Sequence, residues 1–506
     1  MSNDKNYDSE FCGSLPIHYI NLVQPYGVLL VLDKQALTIV QASENADEIF
    51  EQPVDQLLQQ PLYNFLDAVS IDILNKKLEG NIQEKIPVSL VIKGRKLLAL
   101  VHSKEKYLLV ELELLDHKSD GDISFVDVYQ DVKYSMAAID QCRSIEDVCT
   151  TAARELKKLS GFDKVMIYYF DENWNGTVVA EEREEGMESY MGFTFPASDI
   201  PKQARALYLR TPYRFIPDRD YVPVKLYPVI NPLTNSFVDL SDCNIRGVAA
   251  VHVEYLKNMQ VVASMSTRII HNESLWGLIA CHHRTAKPMS YQECSVFELL
   301  SNVISAKIAS LQNREQMNVA ATISERRTQL VEQIYTSGSI VKGFEDSGDN
   351  LLSLFNAEGA VFLKEGHAVV KGKVPDKEHL EDLGLWLNAK KLQQVFYHHH
   401  LSDVYEHAVE YTNIASGVLV IPVDNVKEEY LVVFRPEVVR TINWGGNPDD
   451  AIRFEPDAKN YHPRHSFRLW KQTVRNTSLP WKHEEVQVAE SIRSFIYEYT
   501  TRYGGN

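Results

Sequence analysis

Cys12 stands alone near a polar, acidic N-terminus, ahead of the first apolar run and with no apolar periodicity around it. A thiol on such an arm becomes a nucleophile once its proton is lost, although free cysteines mostly behave as small hydrophobes. The other five, at 142, 149, 243, 281 and 294, show neither CxxC pairs nor scaffold spacing and read as ordinary small residues. The stretch Phe195 to Arg205, FPASDIPKQAR, reads as a strand end running into a helix start. Ser198 or Asp199 can accept hydrogen bonds from its first free amides, Pro201 suits its first turn, and Ala204, Leu207 and Tyr208 form an apolar face at helical spacing. Taken alone, this is a capped helix. His252 and His282, each taken alone, are satisfied core residues. The run Tyr397-His398-His399-His400 offers imidazoles in tandem, but at a helix end it fixes no tetrahedral geometry and reads as solvated.

The elements that must position these residues follow from composition and periodicity. A chain of 506 residues makes about three domains of ordinary size. Its 44% hydrophobic and 24% charged residues are those of a globular protein, and a net charge of -17 argues against nucleic acid or anionic membrane as the main partner. The start MSNDKNYDSE is not a secretory signal, and the longest apolar runs, such as YGVLLVL and SGVLVIPV, are strand-sized. These features predict a cytoplasmic protein with no membrane span.

Strands are expected at Tyr26 to Asp33 and Leu37 to Ala42. Short helices follow at Ser43 to Phe50, Val54 to Leu66 and Asp72 to Leu78, then strands at Val88 to Ile92, Lys96 to His102 and Tyr107 to Leu114. This order suggests an α+β sensor module of the PAS type. A second unit opens with a helix from Ser135 to Leu159 capped by Gly161. It continues with strands Val165 to Phe170 and Gly176 to Glu181, a long irregular segment from Thr211 to Asp242, and strands Ala263 to Ile270 and Leu275 to His282. From Met289 to Ser337 there is neither Gly nor Pro, and apolar residues recur at helical intervals, which predicts one long helix or two joined at a kink. A third unit repeats the pattern, with strands Ala360 to Lys364 and His367 to Lys371, a helix from Lys377 to Phe396, and strands Val418 to Val423 and Glu429 to Phe434. The excursion from Ile442 to Trp481 suggests an arm that docks elsewhere, and Glu484 to Tyr503 is an amphipathic helix.

In these blocks the chain resembles the photosensory core of a bacteriophytochrome, a PAS–GAF–PHY red-light receptor holding a linear tetrapyrrole. The resemblance rests on Cys12-x-x-x-Pro16-Ile17-His18, Gln24-Pro25-x-Gly27, FPASDIPxQAR, Val251-His252-x-x-Tyr255-Leu256-x-Asn258-Met259, Leu275 to His283, and Pro463-Arg464-x-Ser466-Phe467. It implies a PAS domain over 1–130 with the attachment arm, a GAF domain over 131–312, and a PHY domain over 313–506 with a tongue at about 441–485 and an output-linking helix. It also implies antiparallel sheets, a long connecting helix and an N-terminal arm threaded through the GAF domain, against the usual rule on knots.

The cofactor so implied is biliverdin IXα. Its vinyl group would take a thioether from Cys12, and its two propionates call for forked donors and hydroxyls, here Arg214, Arg246, Ser264 and Ser266. By the same resemblance the Asp199 carbonyl accepts from the pyrrole nitrogens, with Ile200, Pro201 and Tyr208 also on the pigment. His252 holds a water, His282 bonds the carbonyl of the rotating ring, and Tyr168, Phe195 and Tyr255 wall that ring. Asp199 then pairs with Arg464 before light and hands over to Ser466 after it, with Trp444 also in the signalling arm. No metal is implied. The family further implies a homodimer through the long helices, an output domain beyond this chain, a histidine kinase acting on a response regulator, and no catalytic domain here.

The resemblance has departures. Tyr26 stands where the family has His, Ala249-Ala250 where it has Ser-Pro, and Gln260 where it has Gly. Two other readings remain open at the level of residues: a pigment-free receptor for a small metabolite, and an enzyme with Cys12 as nucleophile and His252 or His282 as base.

Overall fold

The run GVLLVLD forms β2 (Gly27–Asp33), and its nearly unbroken apolar character has a direct cause: both faces are covered. Val28, Leu30 and Leu32 face one core with Ile49, Phe50 and Leu57, whereas Leu29 and Val31 face another with Val23, Leu226 and Leu240. The structure, a computed structural model, describes residues 17–79, 85–114, 125–346, 350–364, 367–424, 428–448, 452–454, 461–463 and 466–503. Residues 1–311 and 443–470 form one compact unit, and 312–442 with 471–506 form a second.

In the first domain, β1 (Leu22–Val23), β2, β3 (Ile39–Ser43), β4 (Ile86–Ile92), β5 (Arg95–Ser103) and β6 (Tyr107–Glu113) belong to a seven-stranded sheet of order β1-β11-β3-β2-β6-β5-β4. Its seventh member, β11 (Val224–Tyr227), comes from the long irregular segment of the second domain and pairs with β1 (Leu22↔Lys225) and β3 (Leu226↔Ser43). The 240–247 stretch grips the same arm: Leu240 N donates to His18 O, Gly247 N to Leu22 O, and Gln24 N to Ile245 O. A Cβ at Gly247 would lie 2.8 Å from Leu22 O, so this approach requires glycine. The helix expected over Val54 to Leu66 is instead two turns, Val54–Leu57 and Leu62–Phe65, split where Gln59 turns to φ 64 and Pro61 has no amide to donate. The helix Ala68–Leu78 begins earlier than the expected Asp72 because the Asp67 carboxylate caps it, accepting from Ser70 N at 2.8 Å.

The second domain opens with two helices rather than the single one expected, Phe125–Gln141 and Ile145–Ser160. Ser144 breaks the run by capping the second helix, which ends at Gly161 with φ 62 as the sequence suggests. Six strands of an eight-stranded sheet run β10-β12-β13-β7-β8-β9, with β7 (Lys164–Phe170), β8 (Gly176–Arg183), β9 (Thr194–Phe195), β10 (Tyr213–Ile216), β12 (Ala263–His271) and β13 (Ser274–His283); Arg440–Gly445 and Leu469–Val474 continue it beyond β9. One face carries Phe215, Met265, Ile279, Cys281, Val165 and Ile167 against Ala152 and Leu156 of the preceding helix and Phe297, Leu300, Ile304 and Ile308 of the long helix.

That long helix, Tyr291–Ser337, is one element of 47 residues, without the alternative break. It is long and apolar enough to cross a membrane by length and composition, but its buried apolar residues through Leu311 belong to the second domain's core.

The third domain has the order β15-β14-β18-β17-β16, with β14 (Gly359–Lys364), β15 (His367–Gly372), β16 (Phe396–His398), β17 (Gly417–Asp424) and β18 (Glu429–Arg435). The helix expected to reach Phe396 stops at Lys390, where Lys391 takes φ 49, and the histidine run therefore leaves an edge strand rather than a helix end.

Residues 443–470 pack within the first compact unit: Trp444 pairs in parallel with Thr194, and Ile452–Phe454 pairs with Tyr461–Pro463.

Candidate ligand-binding site

Strand register builds the site. Arg214, Ser266, Ala280 and Met166 form one rung across β10, β12, β13 and β7, and Ser264, His282 and Lys164 form the next. Because side chains alternate, these positions share the face opposite the helix-packed core. The cavity over that face is closed by the helices Lys202–Arg210 and Ala250–Asn258. Every described residue assigned to the pigment lines it: Tyr168, Phe195, Asp199, Ile200, Pro201, Tyr208, Arg214, Arg246, His252, Tyr255, Ser264, Ser266 and His282.

One end of the cavity is cationic. Arg214 donates to three backbone carbonyls, of Asn244 (3.2 Å), Arg246 (2.6 Å) and Gly247 (2.9 Å). Arg246 donates to Ser241 O at 3.2 Å, and burial with Arg214 beside it pushes its guanidinium down to about 9, still charged at neutral pH. Among the described residues no carboxylate reaches ion-pair distance of either guanidinium. Tyr208 faces Ser266, and burial raises its phenol.

Elsewhere the lining is aromatic, with two neutral imidazoles. Burial and Arg214 push His252 down to about 4, and burial, Lys164 and His252 push His282 to about 3, so both rings are uncharged at neutral pH. His252 stacks on Tyr255 at 6.2 Å, and Tyr168 lies 6.0 Å from Phe195.

The expected cap at Asp199 is corrected. The helix begins at Lys202 with Pro201 as its N-cap and no side-chain cap bond, because Ala197–Asp199 forms a separate 3-10 turn. The Asp199 carboxylate instead accepts from the Tyr255 hydroxyl at 3.1 Å. Phe467 packs edge-on against Tyr255 at 5.1 Å, and Pro463 reaches the cavity wall. Trp444 is buried at its bridge to Thr194 and Ser466 is exposed; neither lines the cavity. Cys12 and Arg464 lie outside the described residues.

Sequence reasoning missed Arg205. Its buried guanidinium donates to Ile200 O (2.7 Å) and Ala197 O (3.3 Å) and sits 4.7 Å over Trp174, which holds the turn carrying Asp199. The signal was its place in the FPASDIPKQAR motif. It also missed Lys164, buried beside His282 in register and paired with Glu181 at 3.6 Å. The departures have local consequences. Tyr26 donates to Asn244 O at 3.2 Å, Ala249 caps its helix without a side-chain bond, and Gln260 holds φ 58 where glycine would be unstrained.

A sheet with a roofed, cationic cavity over one face, preceded and followed in the sequence by two further sheet domains and continued by a long helix, defines a three-domain sensor of PAS–GAF–PHY type. Family models match accordingly: PAS fold over 12–115, GAF domain over 144–308 and phytochrome region over 323–503. The chain is 30% identical to a bacteriophytochrome of Xanthomonas campestris pv. campestris, over 97% of this chain and 78% of that protein. It is 36% identical to cyanobacterial phytochrome B of Nostoc sp., over 97% of this chain and 66% of that protein. A crystal structure of a bacteriophytochrome from the photosynthetic bacterium R. palustris superposes with a TM-score of 0.83 at 30% identity, covering 97% of this chain and 99% of that one. The Stigmatella aurantiaca phytochrome photosensory core module gives 0.82 at 32%, covering 97% and 98%. The chain belongs to the phytochrome family and corresponds to its photosensory core. It spans 64–66% of the length of the Nostoc relatives.

Proposed function

We propose that the chain is a red/far-red light receptor that holds biliverdin IXα in this cavity through a thioether to Cys12. The observation that carries the reading is the pair of guanidinium groups, buried Arg246 and half-buried Arg214, that lack a protein carboxylate among the described residues while lining a cavity that also carries aromatic side chains. Two like charges held this close are stabilised by an anionic ligand, and a long pigment with two carboxylates and apolar end rings fits that donor set.

The bound pigment supplies light absorption and a double bond that isomerises next to its terminal ring. Arg214, Arg246, Ser264 and Ser266 orient the propionates. With pigment bound, the Asp199 carbonyl would accept from pyrrole N–H groups, and neutral His252 would hold a water without adding charge. His282 donates to the ring carbonyl, and Tyr168, Phe195 and Tyr255 limit the space in which the ring turns. Because Tyr255 touches both Asp199 and Phe467, a change at the ring reaches the 443–470 arm through one hydroxyl and one ring contact. Asp199 exchanges Arg464 for Ser466, the arm moves from strand toward helix, and the long helix carries the change to an output module, a histidine kinase with its response regulator. The domains divide at 1–130, 131–312 and 313–506. The protein acts in the cytoplasm as a homodimer through its long helices, without nucleic acid or membrane.

The test is a red-minus-far-red difference spectrum of the full chain loaded with biliverdin, together with a denaturing gel of the coloured adduct. Reversible red absorption and a covalent band abolished by Cys12→Ser are expected. A colourless protein would sink the reading and favour a pigment-free ligand sensor.

A further inference from the structure

At the rim of the pigment cavity, whose lining includes Cys243, three unlike ligand types converge where the first domain meets the 240–247 stretch: His102 on β5, Glu111 on β6 and Cys243. All three are buried, and one donor atom of each lies within 4.8 Å of the others. His102 Nε2 stands 3.2 Å from Glu111 Oε1 and 3.7 Å from Cys243 Sγ. Donors around a tetrahedral zinc ion, at bonds of roughly 2.0 to 2.3 Å, lie roughly 3.3 to 3.7 Å apart, close to the two separations from His102.

The hydrogen bonding does not exhaust the group. Glu111 Oε2 accepts from Ile245 N at 2.9 Å, which fixes the carboxylate. Oε1 itself has no hydrogen-bond partner: although close to Nε2, it lies off the direction of the ring N–H. A buried acceptor oxygen, oriented by its twin and lacking an aligned donor, stands beside an imidazole nitrogen and a sulfur where it is placed to take a further ligand bond.

We propose that His102, Glu111 and Cys243 form a site for a divalent transition metal of the zinc class. The nitrogen, oxygen and sulfur set favours zinc over calcium or magnesium, which prefer oxygen alone. On binding, the Cys243 thiol gives its proton to solvent and its sulfur bonds to the metal, so that one thiolate and one carboxylate balance the two positive charges. Lys85 Nζ, 3.9 Å from Glu111 Oε1 and bonded to Asn244 Oδ1, opposes the ion and holds its affinity below that of a four-ligand structural site. The metal would staple β5 and β6 to the segment that grips the arm at residues 18–24.

The experiment is metal analysis of the full chain without a histidine tag, after zinc loading and dialysis, alongside the absorption of cobalt-loaded, pigment-free protein. About one equivalent per chain is expected, with a near-ultraviolet thiolate-to-cobalt band and a chelator-reversible rise in Tm. Cys243→Ser and Glu111→Gln should each lose the metal, and Cys243→Ser the band. Replacing His398, His399 and His400 together by Asn should retain both. No stoichiometric metal on the wild-type chain, retention in Cys243→Ser, or loss in the 398–400 variant would each overturn the site. The wild-type measurements hold even if a core variant fails to fold.

Discussion

The second and third domains use antiparallel sheets of similar order, and one is hollow where the other is full. In the third domain both faces are apolar: Phe362, Leu419, Ile421, Leu431 and Val433 face one core, and Val361, Val418, Val420, Val432 and Phe434 face the other. In the second domain the odd-numbered set fills a core, while the alternate set places Arg214, Ser264, Ser266 and His282 on a face that no protein layer fills. The fold thus supplies two faces, and the choice of residue at every second position decides whether a face becomes a core or a ligand site.

Filling the hollow face should have the largest effect. Ser264→Leu with Ser266→Phe is expected to abolish biliverdin uptake, read as red absorbance, while circular dichroism stays that of the wild type. Undiminished uptake would break the comparison. Carving the full face should do the converse: Phe434→Ala, at a fully buried position, should cost about 3–5 kcal/mol in denaturant unfolding and create no pigment binding. A loss under about 1 kcal/mol would mean that this face is less tightly filled than its burial implies.

The hollow face should also show its imidazoles, His282 buried and His252 open to the cavity. His252 and His282 have folded values below the ordinary 6.5, so the unfolded chain binds more protons as pH falls below that point. The neutral form therefore favours folding fully only above about 6.5, and pigment-free protein should lose stability progressively as pH falls through about 4 and about 3, with buried His282 contributing more than His252, whose ring is open to the cavity. Urea titrations at stepped pH, with His252→Gln and His282→Gln flattening the dependence, check this; an equal slope in those variants would assign it elsewhere. Tyr255→Phe removes the bond to Asp199 at a cost of about 1 kcal/mol and should leave pigment uptake intact while altering the extent of light conversion. The smallest change expected is a gain of up to about 1 kcal/mol from Gln260→Gly, which relieves a left-handed backbone, measured by thermal unfolding.

Much of this was legible. Strands announced themselves because alternation or continuous apolarity reports directly on covered faces, as in β2 and β17. The cavity residues were legible through motifs rather than periodicity, since nothing in the spacing of Arg214 and Ser266 shows that β10 and β12 will pair them. What stayed hidden depended on distant partners. Val224–Tyr227 completes a sheet whose other strands lie far earlier in the chain, and no local pattern marks that. Asp199 looked like a cap because its neighbours permit one, yet Tyr255, 56 residues on, takes its carboxylate. The break at Ser144 was the reverse case: a capping residue with an acidic first turn behind it was present, but the apolar stripe ran on across it.

The adoption of β11 by the first domain also sets an order of events on the ribosome. When Ser43 emerges, its partner Leu226 is still 183 positions away, which at typical elongation rates is a wait of roughly ten to forty seconds. Until then β3 presents an unpaired edge, open to another nascent chain. The first domain's sheet is therefore completed only after much of the second domain has been made.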